Sequence, residues 1–149
     1  MQFQASDPDF ERRVRDSFAN QLLMQTIGAS IDSVVAGAVD IVLPFRKDLT
    51  QQHGFLHGGI VTSVLDSACG YSALTLLPPG KEVLTVEFKV NLLRPAVGEC
   101  FIVKAQVVSA GRRVLVVSGT AYRQGESENK PIAVMLATMI AAENDSSGR

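Results

Sequence analysis

The sequence predicts an α+β domain in which about five β-strands surround one long central helix. Residues 58–77 have helical length, contain no proline, and are apolar on nearly every side. A helix that is apolar all round is buried, so this segment is predicted to form the centre of the domain. One strand-like segment precedes it and four follow it, an order that differs from the strand–helix alternation of a doubly wound sheet. We therefore expect one antiparallel sheet wrapped over the central helix.

An N-terminal helix is predicted over about residues 8–26. Apolar side chains recur every fourth residue from Phe10 to Leu22, with charged residues between them, which is the pattern of an amphipathic helix that ends before Gly28. Residues 29–45 are rich in valine, isoleucine and leucine and are predicted to form a single strand that ends near Pro44.

The four later segments have different strand patterns. Residues 84–92 alternate between apolar and polar side chains, as in a strand with one buried face. Residues 100–110 and 114–123 flank the dipeptide Gly111-Arg112, which predicts a hairpin. Residues 132–142 are apolar on both faces and are predicted to form a central strand.

Length and composition indicate one globular domain, which we assign to residues 1–149 with its core at about 27–143. The chain is 46% hydrophobic and 19% charged, and its net charge is −1, so neither a nucleic acid nor an anionic membrane is an expected partner. The first ten residues lack the apolar segment of a signal peptide, and Cys69 and Cys100 have no redox or zinc spacing. We therefore expect a cytoplasmic protein with reduced thiols.

Asp66 is an unusual residue for its surroundings. It is the one formal charge in residues 49–80 if both histidines there are neutral, and it lies in the helix that is predicted to be buried. Burial of an unpaired carboxylate costs several kcal/mol. The side chain must therefore be paired, protonated, or exposed to a cavity or interface, which makes Asp66 either a structural hydrogen-bonding residue or a functional one.

The residues that open the central helix favour a functional role. Gly58 and Gly59 leave the first N–H groups of the helix uncovered, and the helix dipole makes such an end suited to negative charge. A carbonyl oxygen bound there would be stabilised as it becomes an oxyanion. His53 and His57 are four residues apart, but the glycines around them disfavour a helix and no third ligand is evident, so no metal is expected.

The motif His57-Gly58-Gly59, followed after six residues by Asp66, resembles the signature of the hotdog-fold acyl-CoA thioesterases of the phenylacetate-pathway type. The resemblance extends over about residues 27–142. It includes three further features: Thr85-Val86-Glu87, Leu93-Arg94-Pro95 and Gly111-Arg112. It implies a curved antiparallel sheet around one long helix, assembly into dimers and often tetramers, and hydrolysis of a thioester without a metal or cofactor.

The resemblance also implies roles for single residues. Asp66 matches the catalytic carboxylate, acting as general base or nucleophile, and Gly58 matches the oxyanion-hole N–H. Gln51 matches a position that holds the attacking water or the thioester, although a glutamine is one methylene longer than the asparagine found in many relatives. Thr85 matches a small hydroxyl residue near the site. The loop of His57 and Gly59 is expected to lie against the substrate.

Helix geometry separates the two main candidates. Gly58 and Asp66 are eight residues apart, or about 12 Å along a helix axis, and they lie on different sides of it. One thioester carbonyl cannot contact both within one chain, because each contact spans about 3 Å. Two antiparallel helices about a two-fold axis would bring Gly58 of one chain beside Asp66 of the other. We therefore predict composite sites in a homodimer. The resemblance implies a homotetramer as the larger assembly.

The substrate is expected to be an acyl-CoA whose phosphates need nearby cations. Residues 81–113 contain six basic and three acidic side chains. The resemblance implies basic residues on two turns of this segment, which makes Arg94 and Arg112 the expected phosphate contacts. The acyl group is expected to enter an apolar tunnel capped by Phe55, Leu56 and the N-terminal helix, which suits an aliphatic or an aryl chain.

Two alternatives stay open. A hotdog dehydratase or hydratase would pair a histidine with an acid of the central helix, and His53 and Asp66 have nearly the required separation, although the proline-rich loop of those enzymes is absent. A non-catalytic acyl-CoA-binding domain is the other, but such a domain gains nothing from a costly buried carboxylate.

Overall fold

A six-stranded antiparallel sheet packs against one long helix in the computed structural model, which describes residues 2–144. The helices are α1 (Phe10–Ala19), α2 (Leu22–Ile27) and α3 (Gly58–Leu74), with a 3₁₀ turn at Lys47–Leu49. The strands are β1 (Ser30–Val35), β2 (Ala38–Pro44), β3 (Lys81–Leu92), β4 (Cys100–Ala110), β5 (Val114–Arg123) and β6 (Ala133–Glu143). This arrangement confirms the predicted α+β architecture.

The strands lie in the order β1-β2-β4-β5-β6-β3, and every neighbouring pair is antiparallel. Strand β3 is therefore an edge strand, although it follows the central helix directly in the chain. It pairs with β6 along its whole length, from Lys81 opposite Glu143 to Leu92 opposite Ala133. Its other edge has no partner strand among residues 2–144.

Helix α3 supplies much of the core, because most of its side chains from Val61 to Leu74 are buried. Gly119 of β5 permits the close approach of α3 to the sheet. A Cβ atom at position 119 would lie 3.0 Å from Cys69 Sγ and 3.1 Å from Leu65 Cδ2, which is tighter than ordinary contact. Within the described part of the chain, no helix has the length and apolar character needed to span a membrane.

The sheet has six strands where we predicted about five. Residues 29–45 form the hairpin β1–β2 in place of one strand, because the chain turns at Ala36-Gly37. Gly37 has a φ of 84°, a conformation that glycine adopts readily. The turn is inconspicuous in the sequence because valine, alanine and isoleucine continue on both sides of it.

The N-terminal helix predicted over residues 8–26 is two helices. Helix α1 ends at Ala19, and α2 begins at Leu22 after Gln21 adopts an extended conformation with ψ of 97°. The apolar spacing from Phe10 to Leu22 runs through this break, so periodicity alone does not reveal it.

Arg13 attaches α1 to the end of the central helix. Its guanidinium donates to the carbonyl oxygens of Leu74 and Leu77, both at 2.8 Å, and to that of Pro78 at 3.0 Å. The same group forms an ion pair with buried Asp7 at 3.2 Å. These bonds satisfy carbonyl groups that the end of an α-helix leaves without internal partners.

Candidate active site

The first turn of α3 leaves one backbone N–H group uncommitted. His57 is the N-cap residue, and its Nδ1 accepts a hydrogen bond from the N–H of Gly59 at 2.8 Å. The carbonyl oxygen of His57 accepts from Ile60 at 2.9 Å. The N–H of Gly58 has no acceptor among the described residues, and it lies at the positive end of the helix dipole. His57 thus sets the start of the helix and leaves Gly58 as the available donor.

Gly58 faces a pocket of about 390 Å³, whose lining also includes Gln51, Leu92 and Arg94. A Cβ atom at position 58 would lie 2.5 Å from Leu92 Cδ1, so a side chain would require Leu92 to move. The absence of a side chain lets an incoming group approach the N–H of Gly58 closely.

Gln51 holds the loop that precedes the helix. The side-chain Oε1 of Gln51 accepts from the backbone N–H of His53 at 2.5 Å and from that of Phe55 at 3.4 Å. The backbone N–H of Gln51 donates to the carbonyl oxygen of Phe55 at 2.9 Å. Because backbone N–H groups occupy the oxygen, the side-chain NH₂ is the part of Gln51 left to donate to another group. This NH₂ has no partner within the described residues.

Asp66 lies at a second pocket, of about 160 Å³, between α3, β3 and the N-terminal helices. Its side chain is half-buried, and Oδ1 accepts a hydrogen bond from Thr85 Oγ1 at 2.8 Å. Thr85 precedes a β-bulge in β3, where the register with β6 shifts between Thr85 and Glu87. Bulges redirect side chains, and this one accompanies the contact between Thr85 and Asp66. Asp66 has no cationic partner within 4 Å among residues 2–144.

Cys69 lies one turn beyond Asp66 and is fully buried. Burial raises the pKa of this thiol to about 12, and the nearby charge of Asp66 adds to the rise. The thiol therefore stays protonated near neutral pH and is not available as a nucleophile.

The predicted site residues separate into three places. Gln51 and Arg94 lie with Gly58 at the N-terminal end of α3, whereas Thr85 lies with Asp66 about 12 Å further along the helix axis. Arg112 lines a third pocket beyond the C-terminal end of α3, together with Arg113 and Lys81.

No pocket in the described part of the chain is lined by both Gly58 and Asp66. His53 is exposed, makes no side-chain hydrogen bond within residues 2–144, and does not line the Asp66 pocket. Within the same residues, no group of three or more His, Cys, Asp or Glu side chains is arranged to hold a metal ion.

The Asp66 pocket is also lined by polar residues that were not predicted from the sequence as site residues. Ser17 comes from α1, Gln21 comes from the break between α1 and α2, and Tyr71 comes from the next turns of α3. Ser67 Oγ donates to Gln21 Oε1 at 3.2 Å. We predicted an apolar tunnel capped by Phe55, Leu56 and the N-terminal helix. Phe55 and Leu56 line the Gly58 pocket, whereas the N-terminal segment contributes the polar residues Ser17 and Gln21 to the Asp66 pocket.

Comparison with known proteins identifies the family. The sequence model of the thioesterase superfamily matches residues 53–130, more than half of the chain and the part that includes both Gly58 and Asp66. The chain belongs to the thioesterase superfamily. It is thus a thioester hydrolase, as the glycine and aspartate motif predicts.

Related proteins agree with this assignment. The thioesterase is 36% identical over 111 residues to "Putative esterase SSO1253" of Saccharolobus solfataricus, a match that covers 71% of this chain and 73% of the relative. It is 51% identical to a thioesterase family protein from Silicibacter pomeroyi of known structure, with a TM-score of 0.85 and coverage of 90% and 98% of the two chains.

The fold is shared with more distant structures as well. The PaaI protein of the E. coli phenylacetic acid degradation operon is 18% identical to this thioesterase, with a TM-score of 0.81, and the match covers 90% of this chain and 94% of PaaI. This likeness confirms the predicted hotdog fold, with one more strand than we expected.

Proposed function

We propose that this thioesterase hydrolyses an acyl-CoA to the free acid and CoA in two composite sites of a homodimer. The observation that carries the proposal is the separation of its two functional groups. The backbone N–H of Gly58, which has no acceptor among residues 2–144, and the carboxylate of Asp66 lie about 12 Å apart along one helix, in two different pockets. Each is half of a hydrolytic site, and a second, antiparallel copy of α3 would supply the other half.

In the proposed reaction, the thioester carbonyl accepts a hydrogen bond from the Gly58 N–H of one chain. Asp66 of the other chain removes a proton from a water molecule, whose oxygen attacks the carbonyl carbon. The negative charge that develops on the carbonyl oxygen is stabilised by the N–H and the helix dipole. The intermediate then expels the CoA thiolate as the C–S bond breaks. Direct attack by Asp66, through a mixed anhydride, is the alternative chemistry for the same carboxylate.

Thr85 and Gln51 have positioning roles in this proposal. The Thr85 hydroxyl donates to Asp66 Oδ1 and leaves Oδ2 for the water. Gln51 lines the same pocket as Gly58. Its side-chain NH₂, which has no partner within the described residues, would supply a second donor to the thioester or to the water. His57 positions the start of α3, because its Nδ1 accepts the hydrogen bond from the Gly59 N–H.

Strand β3 is the surface we assign to the dimer contact. Its outer edge has no partner strand among residues 2–144, and three of its large apolar side chains, Leu84, Val86 and Leu92, are each more than half exposed. An exposed apolar edge strand is a template for pairing with a second chain. Pairing of two β3 edges would join the sheets and bring two copies of α3 side by side. A homotetramer requires a further interface between two such dimers.

The phosphates of CoA would be bound by cationic side chains near the Gly58 pocket. Arg94 lines that pocket and has no side-chain hydrogen bond within the described residues, so its guanidinium is available. Arg112 is exposed and lies beyond the opposite end of α3, so any contact it makes with CoA would come from the partner chain. We expect the reaction to require no added cofactor.

The direct experiment measures CoA release from a panel of acyl-CoAs that differ in chain length and aromatic character. Release by the wild-type protein, and loss of release in a folded Asp66→Asn variant, would support the proposal. Addition of water to an enoyl-CoA without CoA release would favour a hydratase instead. Saturable binding of acyl-CoA without turnover would favour a binding domain.

A further inference from the structure

We propose that the pocket beyond Asp66 binds a short acyl group with a neutral hydroxyl at its far end, recognised by Tyr71 and Gln21. This inference rests on the proposed function, because it identifies the acyl group of the substrate hydrolysed there. Neither side chain is required to perform the chemistry. Both are proposed to determine which acyl-CoA is used.

The charges of the pocket decide which part of the substrate enters it. Its lining includes two acidic residues, Asp66 and Glu82, and no lysine, arginine or histidine. The phosphates of CoA would therefore be repelled, whereas the Gly58 pocket contains Arg94. The acyl group carries no phosphate and lies on the far side of the thioester from CoA, so we assign it to this space. A carboxylate on the acyl group would be disfavoured for the same reason as a phosphate.

The size of the pocket limits the acyl group. A cavity of about 150 Å³ accommodates benzene, so the 160 Å³ here holds about six heavy atoms. A six-carbon acyl group with a terminal oxygen has about six heavy atoms beyond its carbonyl carbon, which matches this volume.

Hydrogen-bonding groups at the far end of the pocket have unused capacity. The Tyr71 hydroxyl lies 3.3 Å from Ser17 Oγ, and the two hydroxyls together can still donate and accept further bonds. Gln21 Oε1 accepts from Ser67, and its NH₂ has no acceptor among residues 2–144. A saturated hydrocarbon chain would leave these groups without partners once water is displaced, which costs free energy.

Tyr71 is a neutral donor that the fold holds in place. It is 8% exposed, and its ring packs edge-on against Phe18, with 5.6 Å between the ring centroids. Burial raises the pKa of Tyr71, and the charge of Glu82 adds to the rise, so the phenol keeps its proton at neutral pH. A fixed phenol of this kind discriminates between acyl groups that differ by one hydroxyl.

The test compares kcat/KM for three CoA esters of equal chain length: hexanoyl, 6-hydroxyhexanoyl and the adipic half-ester, which ends in a carboxylate. We expect the hydroxylated ester to be preferred over hexanoyl by about tenfold, the value of one net hydrogen bond. The ester that ends in a carboxylate should be the poorest of the three.

Two variants and one control connect the preference to its residues. Tyr71→Phe and Gln21→Met each remove one hydrogen-bonding group and should reduce the ratio of the hydroxyhexanoyl to the hexanoyl value. Tyr122→Phe is the matched control, since Tyr122, the other tyrosine of the chain, lines a different pocket. Equal rates on the two uncharged esters, or a preference that survives both substitutions, would overturn this inference and leave the proposed function intact. Release of CoA from none of the three esters or the acyl-CoA panel would contradict both.

Discussion

Removal of the backbone N–H of Gly58 as a hydrogen-bond donor tests the oxyanion hole most selectively. Gly58→Pro removes this N–H at the first position of α3, where helices tolerate proline because the N–H has no intrahelical acceptor. His57, with φ of −59° and ψ of 133°, already has the extended backbone that a following proline requires. The substitution should therefore preserve the helix.

The matched control is Gly58→Ala, which retains the N–H. Both variants introduce a Cβ atom 2.5 Å from Leu92 Cδ1, so both require the same displacement of a side chain that is 56% exposed and able to move. Any effect of this contact on folding or binding should be common to the two proteins. The two variants then differ in the hydrogen-bond donor and in the proline ring, whose fixed φ suits the first position of a helix.

Loss of one oxyanion-hole donor typically lowers kcat by about 10²–10³-fold, or about 2.7–4 kcal/mol in activation free energy. We expect Gly58→Pro to be slower than Gly58→Ala by a factor in this range, with the two variants similar in melting temperature. The assay is release of CoA thiol at saturating acyl-CoA. Equal kcat values for folded Gly58→Pro and Gly58→Ala would refute the role of this N–H.

Four further predictions concern other residues. Asp66→Asn should lose about 10²–10⁴-fold in kcat while its melting temperature stays close to that of the wild type, since a positioned base is lost; activity near the wild-type value would exclude Asp66 as the base. Thr85→Val should lower kcat more than it changes KM, whereas Thr85→Ser, which keeps the donor to Asp66, should retain most activity; equal kcat values for the two variants would argue against positioning. Arg13→Met should lower the free energy of unfolding in urea by about 2–3 kcal/mol, because buried carbonyls at the end of α3 lose a charged donor; an unchanged unfolding midpoint would contradict that reasoning. Cys69, with a pKa raised to about 12 by burial, should resist alkylation by iodoacetamide at pH 8 until the protein is denatured, as measured by mass spectrometry, and rapid native labelling would contradict its burial.

Much of the sheet was predictable because its signals are local. The hairpin around Gly111-Arg112 has the predicted strand bounds, 100–110 and 114–123, since a turn dipeptide lies between two alternating segments. Helix α3 was predictable from its continuous apolar surface, and it begins at Gly58 as expected. Asp66 was detectable because a charge in such a helix requires an explanation.

The parts that sequence analysis missed depend on tertiary contacts. The break after Ala19 interrupts no apolar spacing, and it is accompanied by a contact between Gln21 and Ser67 across two helices. Thr85 and Asp66 are 19 residues apart, and only the path of β3 beside α3 shows that they form a hydrogen bond. The edge position of β3 also follows from the strand order, which the local pattern of residues 84–92 does not contain.

The composite site is the central claim, and a mixture of two inactive variants tests it most directly. Asp66→Asn and Gly58→Pro chains are unfolded together, refolded at equal amounts, and assayed for CoA release. Random association of equal amounts makes half of the dimers mixed. If each site uses Gly58 of one chain and Asp66 of the other, one of the two sites in each mixed dimer is intact. The account predicts recovery of about a quarter of wild-type activity. Activity no greater than that of the separate variants, in a sample shown to contain mixed dimers, would contradict it.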